Sequence, residues 1–220
     1  MKYKCLVLDH DDTVVSSTKE IHHPCFVEYL YKTGRDKIAE GYDLEKYLVR
    51  NFHPGISAIL FDELGMDEEE VKREEQYWAA YVERVTPTAY EGIADIISRF
   101  RLEGGLVVVD SHSLTRYIER DYKANSLPFP DLIYGWDIPK EHRKPSPYTL
   151  FDIMKRYNLS PSEILVVDDL KPGYDMARGA GVDFAAAGWA YNVPEIEKFM
   201  RQNCDFYLSS VTELGKLLFE

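Results

Sequence analysis

At 220 residues, with 45% hydrophobic and 29% charged side chains, the chain can bury a sizeable core and is too apolar to stay disordered. A formal net charge of -12 and the lack of a Lys/Arg-rich run exclude a general nucleic-acid binder and oppose docking on an anionic membrane. No apolar stretch approaches the ~20 residues that span a bilayer, and the first nine residues are too short in apolar content for a signal peptide.

Residues 5–8 form a short apolar run, as a buried parallel strand requires. Residues 17–86 then lack strand patterns and read as several helices. One covers 67–85, with Val71, Trp78, Val82 and Val85 at helical spacing. Its acidic first turn suits a helix N-terminus, and its charge run reads as a solvated face. Pro87 marks the return to strand–helix alternation. Ile93, Ile96, Ile97 and Phe100 repeat at i, i+3, i+4, i+7, and a second apolar run comes next at 106–109. Further runs lie at 132–134, 164–167 and 182–185, with a weaker sixth at 205–208. Between the third and fourth, Pro147 suits a helix first turn, and Phe151 and Met154 share one face. Val211, Leu214, Leu217 and Leu218 predict a closing amphipathic helix. The alternation predicts an α/β fold, a parallel sheet covered on both faces. The core comprises residues 1–16 and 87–220, and an all-helical insertion covers 17–86. Cys5, Cys25 and Cys204 include no CxxC pair, so neither a disulfide framework nor a zinc site is indicated. Cys5 reads as a buried small hydrophobe, and reduced thiols point to the cytoplasm.

Polar residues gather at the ends of the apolar runs. The first ends in Asp9-His10-Asp11-Asp12-Thr13, whose acids repel one another unless a hard cation sits among them. The bland alternative is an acidic loop with a helix cap. The second ends in Asp110-Ser111-His112-Ser113, where the Ser111 hydroxyl either donates a hydrogen bond to a phosphoryl oxygen or is a plain N-cap. Lys144 lies between Arg143 and Pro145, in a turn that aims it inward or merely precedes a helix. The fourth ends in Asp168-Asp169, with Gly173 and a small-residue helix beyond it. In an open α/β sheet ligands bind at the carboxyl ends of the strands, so these four segments can converge on one crevice.

In that order the segments resemble the motifs of the haloacid dehalogenase superfamily. Asp9, Asp11 and Thr13 match its DxDxT motif, Ser111 its second motif, Lys144 its third and Asp168-Asp169 its fourth. The resemblance covers nearly the whole chain and implies a doubly wound, Rossmann-like core. The insertion looks like the C1 cap of the phosphoglycolate-phosphatase and β-phosphoglucomutase relatives. By that resemblance Asp9 is a covalent nucleophile and Asp11 a general acid–base. Ser111, His112, Lys144 and Thr13 would bind phosphate. Mg²⁺ would be held by Asp9, Asp11 through its carbonyl, Asp169 and Asp168. Asp12 stands where the family more commonly has Gly. The expected activity is hydrolysis of a small phosphorylated metabolite by a monomer or homodimer, without nucleic acid or membrane partners. A phosphosugar mutase, with His22 or His23 as a hinge residue, is the alternative, and a non-catalytic binding protein is a third. Arg50 and His53 in the insertion are candidates for substrate choice.

Overall fold

The computed structural model describes residues 2–220. The chain divides into two compact units. One holds residues 1–16, 88–192 and 197–220, the other 17–87 and 193–196.

The first unit begins with β1 (Cys5–Leu8). In the second unit a π-helical turn, Thr18–His22, runs into α1 (His23–Lys32). Then come α2 (Asp36–Glu40), α3 (Leu44–Phe52), the short α4 (Ile56–Ala58) with a further π turn, and α5 (Glu68–Val82). The chain returns to the first unit as α6 (Ile93–Leu102), β2 (Leu106–Asp110), α7 (Thr115–Ala124), β3 (Leu132–Tyr134), α8 (Tyr148–Tyr157) and β4 (Ile164–Asp168). It closes with α9 (Lys171–Ala180), β5 (Asp183–Ala187), α10 (Pro194–Asn203), β6 (Phe206–Leu208) and α11 (Val211–Phe219).

The strands form one six-stranded sheet in the order β3-β2-β1-β4-β5-β6, every neighbouring pair parallel. Each apolar run of the sequence became a strand, two with the same ends and four with one or both ends shifted by one or two residues. Side chains alternate across a strand, so Leu6 and Leu8, Val107 and Val109, and Leu165 and Val167 share one face. They join Ile93, Ile97 and Phe100 of α6, Ile118 and Tyr122 of α7, and Leu214 and Leu218 of α11 in one buried cluster. Val7, Val108, Val166 and Phe184, on the alternate positions, are buried as well. A strand buried on both faces has no position for a polar residue, and each fully buried Leu or Val contributes roughly 1.5–3 kcal/mol.

In α8 the buried residues are Thr149, Leu150 and Ile153, while Phe151 is half exposed. The helix turns on the Thr149 hydroxyl, which donates to buried Asp110 at the end of β2. The expected 67–85 helix ends at Val82 and starts from a capping box, in which Asp67 accepts from Glu70 N–H and Glu70 reaches back to Asp67 N–H. All three cysteines are free thiols, each pushed up to about 12 by burial.

The second unit has its own core, built on Phe26, Leu30, Tyr42, Tyr47, Ile59 and Leu60. It also buries Glu74 of α5. Burial, helped by Glu75 and offset by His22, pushes this carboxyl up to about 7. A carboxyl raised above its unfolded value favours the fold below about pH 4 to 5 and loses that contribution as pH rises through 7. Glu74→Gln should therefore raise Tm at pH 8, by a stability gain on the order of 2 kcal/mol, and leave Tm nearly unchanged at pH 5. Thermal melts at the two pH values check this. An equal shift at both would reject it.

Candidate active site

The sheet order reverses between β1 and β4, and the register pairs Leu8 with Val167. The next residue on each strand is therefore an aspartate beside an aspartate, Asp9 and Asp168, and Asp9 N–H donates to Val167 O at 2.9 Å. This is the crevice where open α/β sheets bind ligands.

Asp9, Asp168 and Asp169 are all buried, and each offers a carboxylate oxygen, these oxygens lying within 4.8 Å of one another. Lys144 Nζ lies 2.7 Å from Asp9 Oδ1 and 2.7 Å from Asp168 Oδ2. One ammonium stands in a cluster of three carboxylates, paired with two of them. Burial, and after it Lys144 opposing and Asp168 and Asp11 adding, leave the Asp9 carboxyl well above the usual range. Burial, Asp168, Asp12 and Asp9 do the same to Asp169. A cluster of hard oxygen donors with excess negative charge fits a divalent cation.

Each of these side chains is held by its own local structure. Asp168 Oδ1 accepts from Leu170 N–H at 2.7 Å. Gly173 lies behind Asp168, and a Cβ there would stand 2.1 Å from its Oδ2. The glycine is required by that close approach. Lys144 is aimed by its loop, where Arg143 Nε donates to Ile138 O at 3.0 Å and the Arg143 guanidinium lies over the Trp136 ring. His112 is exposed, and its Nε2 meets Lys144 O at 3.1 Å, so it braces the lysine loop. Thr13 is fully buried, with its hydroxyl 3.4 Å from Asp169 Oδ1.

The Asp9 loop folds back on itself, with Val14 N–H and Val15 N–H both donating to His10 O. Asp12 takes φ 57°, the left-handed region. Glycine adopts it freely and Asp is one of the few side chains that tolerate it, which accounts for Asp at a position where Gly is common. Asp11 Oδ2 accepts from Ser113 Oγ at 2.6 Å and lies 3.5 Å from Ser111 Oγ. Ser113 had no assigned role in the sequence, although it stands in the same segment as Ser111. Asp110, ambiguous in the sequence, is tied to Thr149, and burial pushes it up to about 6.

Two contacts had no sequence signal. Tyr191, four residues beyond β5, puts its hydroxyl 2.9 Å from Asp169 Oδ2. His10 is buried with its Nε2 3.1 Å from Asp121 Oδ2 on α7. In the second unit Arg50 is ion-paired with Glu63, which also accepts from the Tyr42 hydroxyl. His53 precedes Pro54 through a cis peptide. His23 Nε2 lies 2.9 Å from Tyr42 O, and the Trp78 indole donates to His22 Nδ1 at 3.0 Å.

A family model described as haloacid dehalogenase-like hydrolase matches residues 6–187. The chain belongs to that family. No curated protein matches it. Solved structures of the haloacid dehalogenase-like fold do. A conserved haloacid dehalogenase-like protein of unknown function from Agrobacterium tumefaciens is 17% identical, with TM-score 0.72 over 98% of this chain and 97% of its own. A predicted phosphoglycolate phosphatase from Haemophilus somnus is 17% identical, with TM-score 0.76 over 99% of each chain. CbbY from Rhodobacter sphaeroides, in complex with xylulose-(1,5)bisphosphate, is 20% identical, with TM-score 0.66 over 97% of this chain and 96% of its own. These likenesses are of fold. Within the haloacid dehalogenase-like hydrolases the match spans every strand from β1 to β5, and so every residue of the acid cluster. Among the described residues no helix is long and apolar enough to cross a membrane.

Proposed function

We propose that this chain is a Mg²⁺-dependent phosphatase that hydrolyses a small phosphorylated metabolite through an aspartyl-phosphate on Asp9. The observation that carries this reading is the Lys144 ammonium, 2.7 Å from both the Asp9 and Asp168 carboxylates, beside an oxygen cluster that Asp169 completes. A carboxylate attacks a phosphate ester only where cations offset their mutual repulsion, and this rim supplies the places for them.

Asp9, Asp168 and Asp169, with the Asp11 carbonyl, would hold Mg²⁺, which would supply positive charge to the transferring phosphoryl group. Lys144 binds a phosphoryl oxygen and keeps the Asp9 carboxylate turned toward phosphorus. Ser111 donates to a second oxygen. Asp9 attacks phosphorus, and the bond to the leaving oxygen breaks as Asp11 gives that oxygen a proton. Asp11 then takes a proton from water, which attacks the aspartyl-phosphate and frees Asp9 and inorganic phosphate. Ser113 holds Asp11 for both transfers. Thr13 and His112, first read as phosphate ligands, are assigned bracing roles here, because their polar atoms meet Asp169 and the Lys144 carbonyl. Two of the structural relatives are named for phosphate-ester ligands or activity, which agrees with this choice of substrate class. The helical insertion is assigned to substrate selection from its place between Ser16 and Thr88.

Hydrolysis of p-nitrophenyl phosphate with Mg²⁺, with EDTA, and with Mg²⁺ restored tests the reading. Turnover should vanish in EDTA and return with the metal. Equal turnover in all three, or none in any, rejects it.

A further inference from the structure

The segment after β5 carries no motif of the family resemblance, yet it reaches the acid cluster. Tyr191 is half-buried and places its hydroxyl 2.9 Å from Asp169 Oδ2 and 3.1 Å from Asp169 O. Its one phenolic proton goes to the carboxylate, the stronger acceptor of the two. A phenol keeps its proton at neutral pH, so the hydroxyl is the donor of this pair. Two residues earlier, the Trp189 indole donates to Thr13 O at 3.2 Å, and Thr13 Oγ1 in turn lies 3.4 Å from Asp169 Oδ1. Both carboxylate oxygens of Asp169 are thus approached by hydroxyl donors, one braced by the chain beyond β5 and the other belonging to it.

Building on the Mg²⁺ reading above, the geometry points to Tyr191 as a positioning residue that holds the Asp169 carboxylate in its metal-binding orientation. A carboxylate on a freely rotating χ2 loses orientational freedom when it ligates a cation. The Tyr191 hydroxyl removes much of that freedom before the metal arrives, as outer-sphere hydrogen bonds to metal ligands do. One lone pair on Oδ2 is taken by the phenol and one on Oδ1 faces the Thr13 hydroxyl, which leaves one on each oxygen for a cation. The hydroxyl of Tyr191 acts on Asp169, so its effect falls on metal affinity first.

Tyr191→Phe removes the hydroxyl and keeps the ring. The control is Tyr3→Phe, which deletes another tyrosine–aspartate hydrogen bond, Tyr3 to Asp183 Oδ2 at 2.7 Å, at the opposite end of the same sheet. Mg²⁺ affinity is measured calorimetrically on the three proteins, together with Mg²⁺ half-saturation of ester hydrolysis. Outer-sphere losses are typically about 10- to 100-fold in metal affinity. Y191F should fall in that range by both readouts, with kcat at saturating Mg²⁺ reduced far less, and Y3F should keep wild-type affinity. If Y191F is too unstable for calorimetry, the Mg²⁺-induced Tm increase, referenced to its own melt in EDTA, replaces it. Wild-type affinity in Y191F, or an equal loss in Y3F, overturns the role of Tyr191 while leaving the phosphatase reading intact. No Mg²⁺ binding by the wild-type protein overturns that reading and this inference together.

Discussion

Asp9→Asn should abolish phosphate-ester hydrolysis, lowering kcat by at least about 10⁴-fold, as removal of a covalent nucleophile does. The amide is nearly the size of the carboxylate and can still accept from Lys144, so the loop that carries it keeps its shape. The fold pushes the Asp9 carboxyl well up, through burial and through Asp168 and Asp11. The neutral amide is therefore the better tenant of the metal-free site at neutral pH, and D9N should melt in EDTA no lower than wild type. A dead variant with an undiminished melting temperature separates loss of chemistry from loss of structure. Substantial turnover by D9N, with its mass confirmed to exclude deamidation, would show that another group attacks phosphorus.

Lys144→Met should damage both stability and activity. The lysine is buried against Asp9 and Asp168. Removing one partner of a buried ion pair strands the other charge at a cost of about 3–5 kcal/mol. At about 2–4 °C per kcal/mol for a chain of this size, Tm in EDTA should fall by roughly 10 °C at pH 8. The direction with pH comes from the carboxyls. Burial and the crowding of acids raise Asp9 and Asp169 in the native state. A raised carboxyl favours the fold at low pH and loses that contribution as pH rises through its native value. Lys144 opposes that rise at Asp9, so without the ammonium Asp9 rises further, and the deficit of K144M should be small at pH 4 and grow toward pH 8. Turnover should fall at least about 10³-fold, since the attack then lacks a local cation. A Tm deficit independent of pH would mean that Lys144 supports the fold through its aliphatic stem alone.

The acid cluster and the lysine were legible before any coordinates. A strand buried on both faces reads as an uninterrupted apolar run. A polar residue that ends such a run stands at a sheet edge, where ligands bind. Asp9 and Asp168 end such runs, Ser111 follows Asp110 at the end of another, and Lys144 stands between strands. The order of the four segments, matched to the family motifs, singled them out as a set. The faces of α6 and α11 were equally clear, because Ile93, Ile97 and Phe100, and Val211, Leu214 and Leu218, keep the helical period. Periodicity places Phe151 and Met154 on one face of α8, but it does not show that the helix buries Thr149, Leu150 and Ile153 instead, where Thr149 donates to Asp110, 39 residues away in sequence.

The chain's own order of residues thus determined the strands, the edge at which the acids gather and the family to which they belong. These depend on periods of two or 3.6 residues and on the polar residues that terminate each apolar run. Tertiary structure alone decided which side chains meet there. Ser113 reaches Asp11 across 102 positions, Tyr191 reaches Asp169 across 22, and Gly173 is a glycine because Asp168 fills the space of its Cβ. It also buried Glu74 in a charged helix and gave Arg50 to Glu63. Such contacts depend on the register of strands and the rotation of helices distant in sequence, and no local pattern encodes either.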